Sequence, residues 1–153
     1  MGRISFKQIE LVMKHYPEWR IRYNTAHYNY TLQRTPNVVK DGFYTTPPVP
    51  VVAKSNGLTT FIINFLNWSG YRATRINTMG RMVAGRWIHS TTRKGSADIS
   101  STIKGRSVMW EVKVGRDRPR PEQLAEQQRE RQAGGIYEFV STPEQFFELF
   151  DKL

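Results

Sequence analysis

The chain has no cysteine among its 153 residues. Disulfides and thiolate zinc sites are therefore excluded. It has no run approaching the ~18–20 apolar residues of a membrane span. The opening stretch MGRISFKQIELVMKHYPEW carries a helix-like apolar stripe broken by polar residues and no cleavage-site pattern, so it does not read as a signal peptide. No glycine-rich phosphate loop with its lysine occurs, which argues against an ATP-driven motor. His15, His27 and His89 have no ligand-like spacing. The most telling gap is in charge of one sign. Between Asp41 and Asp98 there is no acidic residue at all, while Lys54, Arg72, Arg75, Arg81, Arg86, Arg93 and Lys94 fall in that window.

What is present is a basic chain of net charge +10, 39% hydrophobic and 24% charged, long enough for one domain with a core. This charge points to a polyanion, and the planar fork of arginine suits phosphate. A peripheral membrane role lacks a basic helix with a large apolar face.

The chain divides into three. Residues 1–46 form an N-terminal extension. Ser5–Gln8 fits a capping box, with Ile9, Val12, Met13 and Tyr16 following at helical spacing up to Pro17. Tyr16, Trp19, Tyr23, Tyr28 and Tyr30 alternate with Arg20, Arg22, His27 and Arg34, a mixture that suits a packing surface or base stacking. Residues 47–54 are a proline-rich connector. Residues 55–153 read as alternating elements: a helix over Leu58–Trp68, a strand over Arg72–Asn77, an irregular Thr78–Lys94, strands over Ala97–Ile103 and Ser107–Val114, a polar helix over Pro121–Gln132, a strand over Ile136–Val140, and a last helix capped at Thr142. That is an α/β domain with a mixed sheet flanked by helices.

The chemistry gathers on the central hairpin. A two-residue loop at Lys104-Gly105 pairs Ile103 with Arg106, which stacks Ile99 on Trp110 and sets Asp98 opposite Glu111. A slip by one residue would mix the apolar and polar faces. Opposed carboxylates about 5 Å apart repel and raise each other's pKa unless a cation lies between them. Oxygen-only donors beside a phosphate favour Mg²⁺, with Mn²⁺ able to replace it. Asp98, Glu111 and the Val112 carbonyl would hold the metal, and Lys113 would orient water or stabilise developing charge. Spacing alone leaves open a plain salt-bridged sheet surface.

Gly95-Ser-Ala-Asp98, the triplet Glu111-Val112-Lys113, and a glutamine-bearing helix ending at Ala133-Gly-Gly-Ile-Tyr137 resemble the PD-(D/E)-x-K nuclease superfamily, and within it the virus-type replication-repair (VRR-NUC) branch. The resemblance covers about residues 55–153. It implies a restriction-endonuclease-like core in the order α-β-β-β-α-β and a metal-dependent DNA endonuclease, frequent in phages and often acting on branched DNA. It also implies a setting in an infected bacterial cytoplasm or a virion. Gln123 matches the family's glutamine, with Gln127 one turn on to share its task. Arg75, Arg81, Arg86, Arg93, Lys94, Arg116 and Arg118 are the expected DNA contacts. Dimerisation stays open, though two-fold junctions favour it. The family's further acid on the first core helix is missing here. Asn64 occupies that helix's polar side and is expected to point at the Asp98–Glu111 pair. The missing charge also supports a second reading, a DNA-binding or virion-associated structural protein that keeps a nuclease fold.

Overall fold

The structure, a computed structural model, describes residues 15–76, 81–88 and 92–153. The expected Ser5–Gln8 capping box, most of the helix after it, and His89 lie outside those residues. Helix α1 (Glu18–Arg34) follows Pro17, and a short α2 (Pro36–Lys40) begins on a proline, whose fixed φ suits a first helical turn. Helix α3 (Ser55–Trp68) starts three residues earlier than the sequence suggests and buries Leu58, Phe61, Ile62, Phe65 and Leu66. Strand β1 (Arg72–Arg75) follows. A separate two-stranded hairpin, β2 (Arg81–Val83) and β3 (Arg86–Ile88), occupies part of the stretch expected to be irregular. Its turn places Ala84 and Gly85 at φ 48° and 75°. Two successive positive φ values match the right-handed twist of a hairpin, but Ala-Gly is not the usual Asn-Gly signal.

The main sheet runs β1-β4-β5-β6, with β4 (Ile99–Ile103), β5 (Arg106–Val112) and β6 (Ile136–Val140). β1, β4 and β5 are antiparallel neighbours. β6 lies parallel to β5, which requires a crossover, supplied by α4 (Pro121–Gln132). The last helix is α5 (Pro143–Phe150), capped by Thr142, whose hydroxyl accepts from the Gln145 amide at 3.2 Å. The fold is thus α/β, with a four-stranded mixed sheet flanked by helices.

One sheet face carries the core. Ile99, Ile103, Val108, Trp110, Val112 and Val140 meet Phe61, Ile62, Phe65, Phe146 and Phe147 from α3 and α5. Each fully buried side chain of this size contributes roughly 1.5–3 kcal/mol relative to exposure. The polar groups on this sheet face pair with one another: Trp110 Nε1 donates to Ser101 Oγ at 3.0 Å, and that hydroxyl donates to the Val108 carbonyl at 2.7 Å. Helix α1 joins the same core. Tyr23 is fully buried, stacks on Phe61 at 4.6 Å between centroids and meets the edge of Trp68 at 4.9 Å. The tyrosine–arginine mixture of this helix is therefore at least partly packing, and Arg22 also makes a bidentate pair with Asp151 beyond α5. Among the described residues no helix is long and apolar enough to cross a membrane.

Candidate active site

The β4–β5 hairpin turns at Lys104 and Gly105, both at positive φ, and its register is Ile103↔Arg106 and Ile99↔Trp110, as the period-2 pattern predicts. Asp98 sits one residue before β4. Its carbonyl accepts from the Ile76 amide at 2.8 Å, and its Oδ2 accepts from the Val112 amide at 3.0 Å. The carboxylate thus takes the place of a ladder partner at the end of β5. In an extended strand the carbonyl of a residue leaves on the same side as its N–H, so that of Val112 faces the Asp98 edge.

Alternation sends Glu111 and Lys113 to the sheet face opposite the apolar core, where α4 covers them. They are 4% and 6% exposed. Lys113 Nζ lies 3.0 Å from Glu111 Oε1 and 3.3 Å from Asp117 Oδ2. The same Oε1 accepts from Gln123 Nε2. Gln123 Oε1 accepts from the Arg120 amide at 3.0 Å, so the amide cannot flip without losing that bond, and its NH₂ is held on Glu111. Gln123 is both the N-terminal brace of α4 and a partner of the site.

Burial first, and then the charge of Asp98, raises the Glu111 carboxyl to about 7. Its bond and charge pairing with Lys113 act in the opposite direction. Tyr137, buried on the same face, has its phenol raised, chiefly by burial and then by the charges of Glu111 and Asp98. Its hydroxyl donates to the Gly95 carbonyl at 3.0 Å.

Asp98, Glu111 and Gln123 line an open cleft of about 410 Å³, together with Arg93, Lys94, Arg120 and Glu122. Gly95 brings its two sides together. Its φ is +86°, and a Cβ there would lie 2.3 Å from the Glu122 carbonyl oxygen and 2.6 Å from that carbonyl's carbon. Both atoms are backbone, so a side chain would push away the first turn of α4 and Gln123 with it. Gly95→Ala is expected to destabilise the fold by about 1–3 kcal/mol, the scale of enforced backbone strain. The check is the urea midpoint; an unchanged midpoint would mean that the turn yields freely.

The other candidates fall in different places. Arg93 and Lys94 line the cleft, and Arg93 also lies 3.4 Å from Glu126. Arg75 leaves the other sheet face and donates to Asn56 in the first turn of α3 at 2.5 Å. Arg81 opens β2 and Arg86 opens β3. Arg116 and Arg118 are exposed in the turn after β5, where Arg118 donates to the carbonyls of Gly115 and Asp117. Gln127 does not share the task of Gln123 here: its amide donates to the Tyr137 carbonyl at 2.9 Å, tying α4 to β6. Asn64 departs from expectation. Its Nδ2 donates to the Tyr23 hydroxyl at 3.1 Å, so it is turned to α1 and not to the carboxylate pair. The cause is that α1 packs over the side of α3 that the sequence leaves polar. Asp117, Arg120 and Tyr137 are site neighbours that the sequence pattern did not single out. For Tyr137 the only hint was its place in the Ala-Gly-Gly-Ile-Tyr run.

Among the described residues no group of three or more His, Cys, Asp or Glu is placed to hold a metal ion. The donors present are two carboxylates and a backbone carbonyl. An all-oxygen set of this kind fits a hard divalent cation that keeps water and phosphate oxygens in its remaining positions. No family model, curated protein or solved structure matches this chain.

Proposed function

We propose that the chain is a Mg²⁺-dependent DNA endonuclease that hydrolyses phosphodiester bonds, with Mn²⁺ able to replace Mg²⁺. One observation carries the reading. Two carboxylates and a fixed glutamine amide line a cleft bordered by Arg93, Lys94 and Arg120, and a buried lysine pairs with one of those carboxylates. The PD-(D/E)-x-K and VRR-NUC resemblance supports it, as does the β-strand order of the sheet, which suits a restriction-endonuclease-like core. On this reading the protein serves phage replication, recombination or repair inside an infected bacterium.

Asp98, Glu111 and the Val112 carbonyl would hold the metal. When bound, it would polarise the phosphate and acidify a water. The remaining work falls to this chain's side chains. Lys113, shared between Glu111 and Asp117, holds an ammonium beside the reacting group, where it positions the attacking water and offsets charge developing on the phosphoryl oxygens. Gln123 fixes the plane of the Glu111 carboxylate. Arg93, Lys94 and Arg120 supply positive charge for the flanking phosphates.

Lys113→Met is expected to lower the single-turnover rate by at least ~10²-fold, the scale for one electrostatic stabiliser, with little change in DNA affinity. Equal losses in rate and affinity would make Lys113 a plain phosphate contact.

The decisive experiment incubates the protein with labelled branched and linear DNAs, with Mg²⁺ or with chelator. Cutting that needs Mg²⁺ supports the proposal. Binding without cutting at any Mg²⁺ or Mn²⁺ concentration favours the second reading, a DNA-binding or virion-associated structural protein. The observation behind that reading is that α3 carries no acid, where the resemblance implies one on the first core helix.

A further inference from the structure

We propose that the β2–β3 hairpin is a wedge that engages the branch point of branched DNA beside the reacting phosphate. This rests on the nuclease reading and assigns to one element of this chain the branch preference that the resemblance implies.

The first argument is position. Five residue steps separate Ile76 from Arg81, and four separate Ile88 from Thr92. An extended chain covers at most ~3.6 Å per residue, so the hairpin begins within about 18 Å of Ile76 and ends within about 14 Å of Thr92. Ile76 donates to the Asp98 carbonyl, and Thr92 lines the cleft. Both ends of the ribbon are therefore tethered within reach of the cleft.

The second argument is exposure. Met82, Val83 and Ile88 are 61%, 41% and 49% exposed. A two-stranded ribbon with strands of three residues gains little stability by itself in water. Val83 and Ile88 share one face of the ribbon and Met82 takes the other, so large apolar side chains are left open on both faces of so small an element, which marks it as an interaction element.

The third argument is charge. Val83 pairs with Arg86, and alternation puts Ile88 on their face, so apolar groups and a guanidinium act side by side. The hairpin lies in the acid-free window, and nothing acidic on it would repel phosphate. A partner with phosphates at its edge and flat apolar faces inside is nucleic acid. A two-stranded ribbon fits a DNA groove, and Met and Ile are among the side chains that insert between bases. Opening a stack costs a few kcal/mol in intact duplex and least where pairing is already broken. Such a wedge therefore favours a branch over a plain duplex.

The test uses the full chain carrying Asp98→Asn, so that the DNA stays intact. The probe is a three-way junction with 2-aminopurine at the branch, compared with a linear duplex carrying the same base. With the hairpin unchanged, fluorescence is expected to rise on the junction and to stay level on the duplex. Replacing Met82, Val83 and Ile88 together by Ser should abolish that rise. It should also weaken junction binding about 10-fold while changing duplex binding less than 2-fold. Arg86→Gln should weaken both alike and reduce the salt slope by about 0.9, the value for one phosphate contact. Several results would overturn the proposal. One is equal weakening on junction and duplex by the triple variant. Another is the absence of any fluorescence rise on the junction. A lowered melting temperature would mean that these side chains pack against the domain. A shift from dimer to monomer with junction binding per protomer unchanged would make the ribbon a contact between copies of the chain. Fluorescence and binding are read without cleavage. A wild-type protein that never cuts would thus sink the nuclease reading while leaving this result to stand or fall separately.

Discussion

Asp98→Asn is expected to reduce cleavage to the background of a no-enzyme control while leaving the fold intact and DNA binding unchanged or tighter. The asparagine is chosen because of what the carboxylate does in the structure. Its Oδ2 accepts from the Val112 amide at 3.0 Å, and an amide oxygen can accept the same bond. Asp98→Ala would leave that amide without its partner and cost on the order of 1 kcal/mol or more, which would blur a loss of activity with a loss of structure. Asn removes the charge and exchanges only the other carboxylate oxygen, for an NH₂. On the proposed mechanism that charge holds the metal and makes no phosphate contact, so affinity should not fall. It should rise where repulsion between Asp98 and the DNA backbone is relieved. The measurements are single-turnover cleavage in Mg²⁺, a binding titration in chelator and a melting curve. A variant that still cuts at the parent rate would remove Asp98 from the reaction.

Much of this site is legible in the sequence because its geometry is local. The Lys104-Gly105 turn and the alternation of Ile99, Ser101 and Ile103 against Val108, Trp110 and Val112 leave one register that keeps a clean apolar face. That register brings Asp98 to the end of the ladder beside Glu111. Gln123 was legible only through the resemblance, which matches it to the family's glutamine; the structure adds that it braces the first turn of α4. What the sequence hides depends on tertiary packing. The bond of Tyr137 to Gly95 spans 42 positions, and no local pattern encodes it. Asp117 looks like one more loop charge between Arg116 and Arg118 until the chain turns back to Lys113. Asn64 was misplaced for a physical reason: a polar position on an amphipathic helix is open only if nothing else covers it, and α1 covers this one. The β2–β3 hairpin escaped because three-residue strands are too short for alternation to show, and its turn is Ala-Gly.

Metal-free protein is expected to lose stability as pH rises from about 5 to about 8, and Mg²⁺ to restore it at the upper end. Burial and the charge of Asp98 raise the Glu111 carboxyl from 4.5 to about 7. Below pH 4.5 the group is protonated in the folded and unfolded chains alike and brings no penalty. Between 4.5 and about 7 the unfolded carboxyl ionises first, so the folded state binds more protons and stability falls with pH. Above about 7 both are ionised and the full penalty stands. At roughly 1.4 kcal/mol per pH unit it is on the order of 3 kcal/mol. Asp151 works in the opposite sense at lower pH, because its bonds to Arg22 hold its carboxyl below the usual value. Total stability therefore mixes the two effects, and the useful comparison is with Glu111→Gln. That variant keeps an acceptor for Lys113 and cannot ionise. It should gain on the parent progressively from pH 5 to pH 8, lose the upward shift in melting temperature that Mg²⁺ gives the parent at pH 8, and cut DNA only at background. A cation placed between Asp98 and Glu111 relieves the repulsion only when both are ionised, so the Mg²⁺ effect on the parent should shrink towards pH 5. Parallel stability curves for the two proteins across this range would mean that Glu111 is already ionised at low pH. Its partners Lys113 and Gln123 would then be enough to hold the charge without a metal.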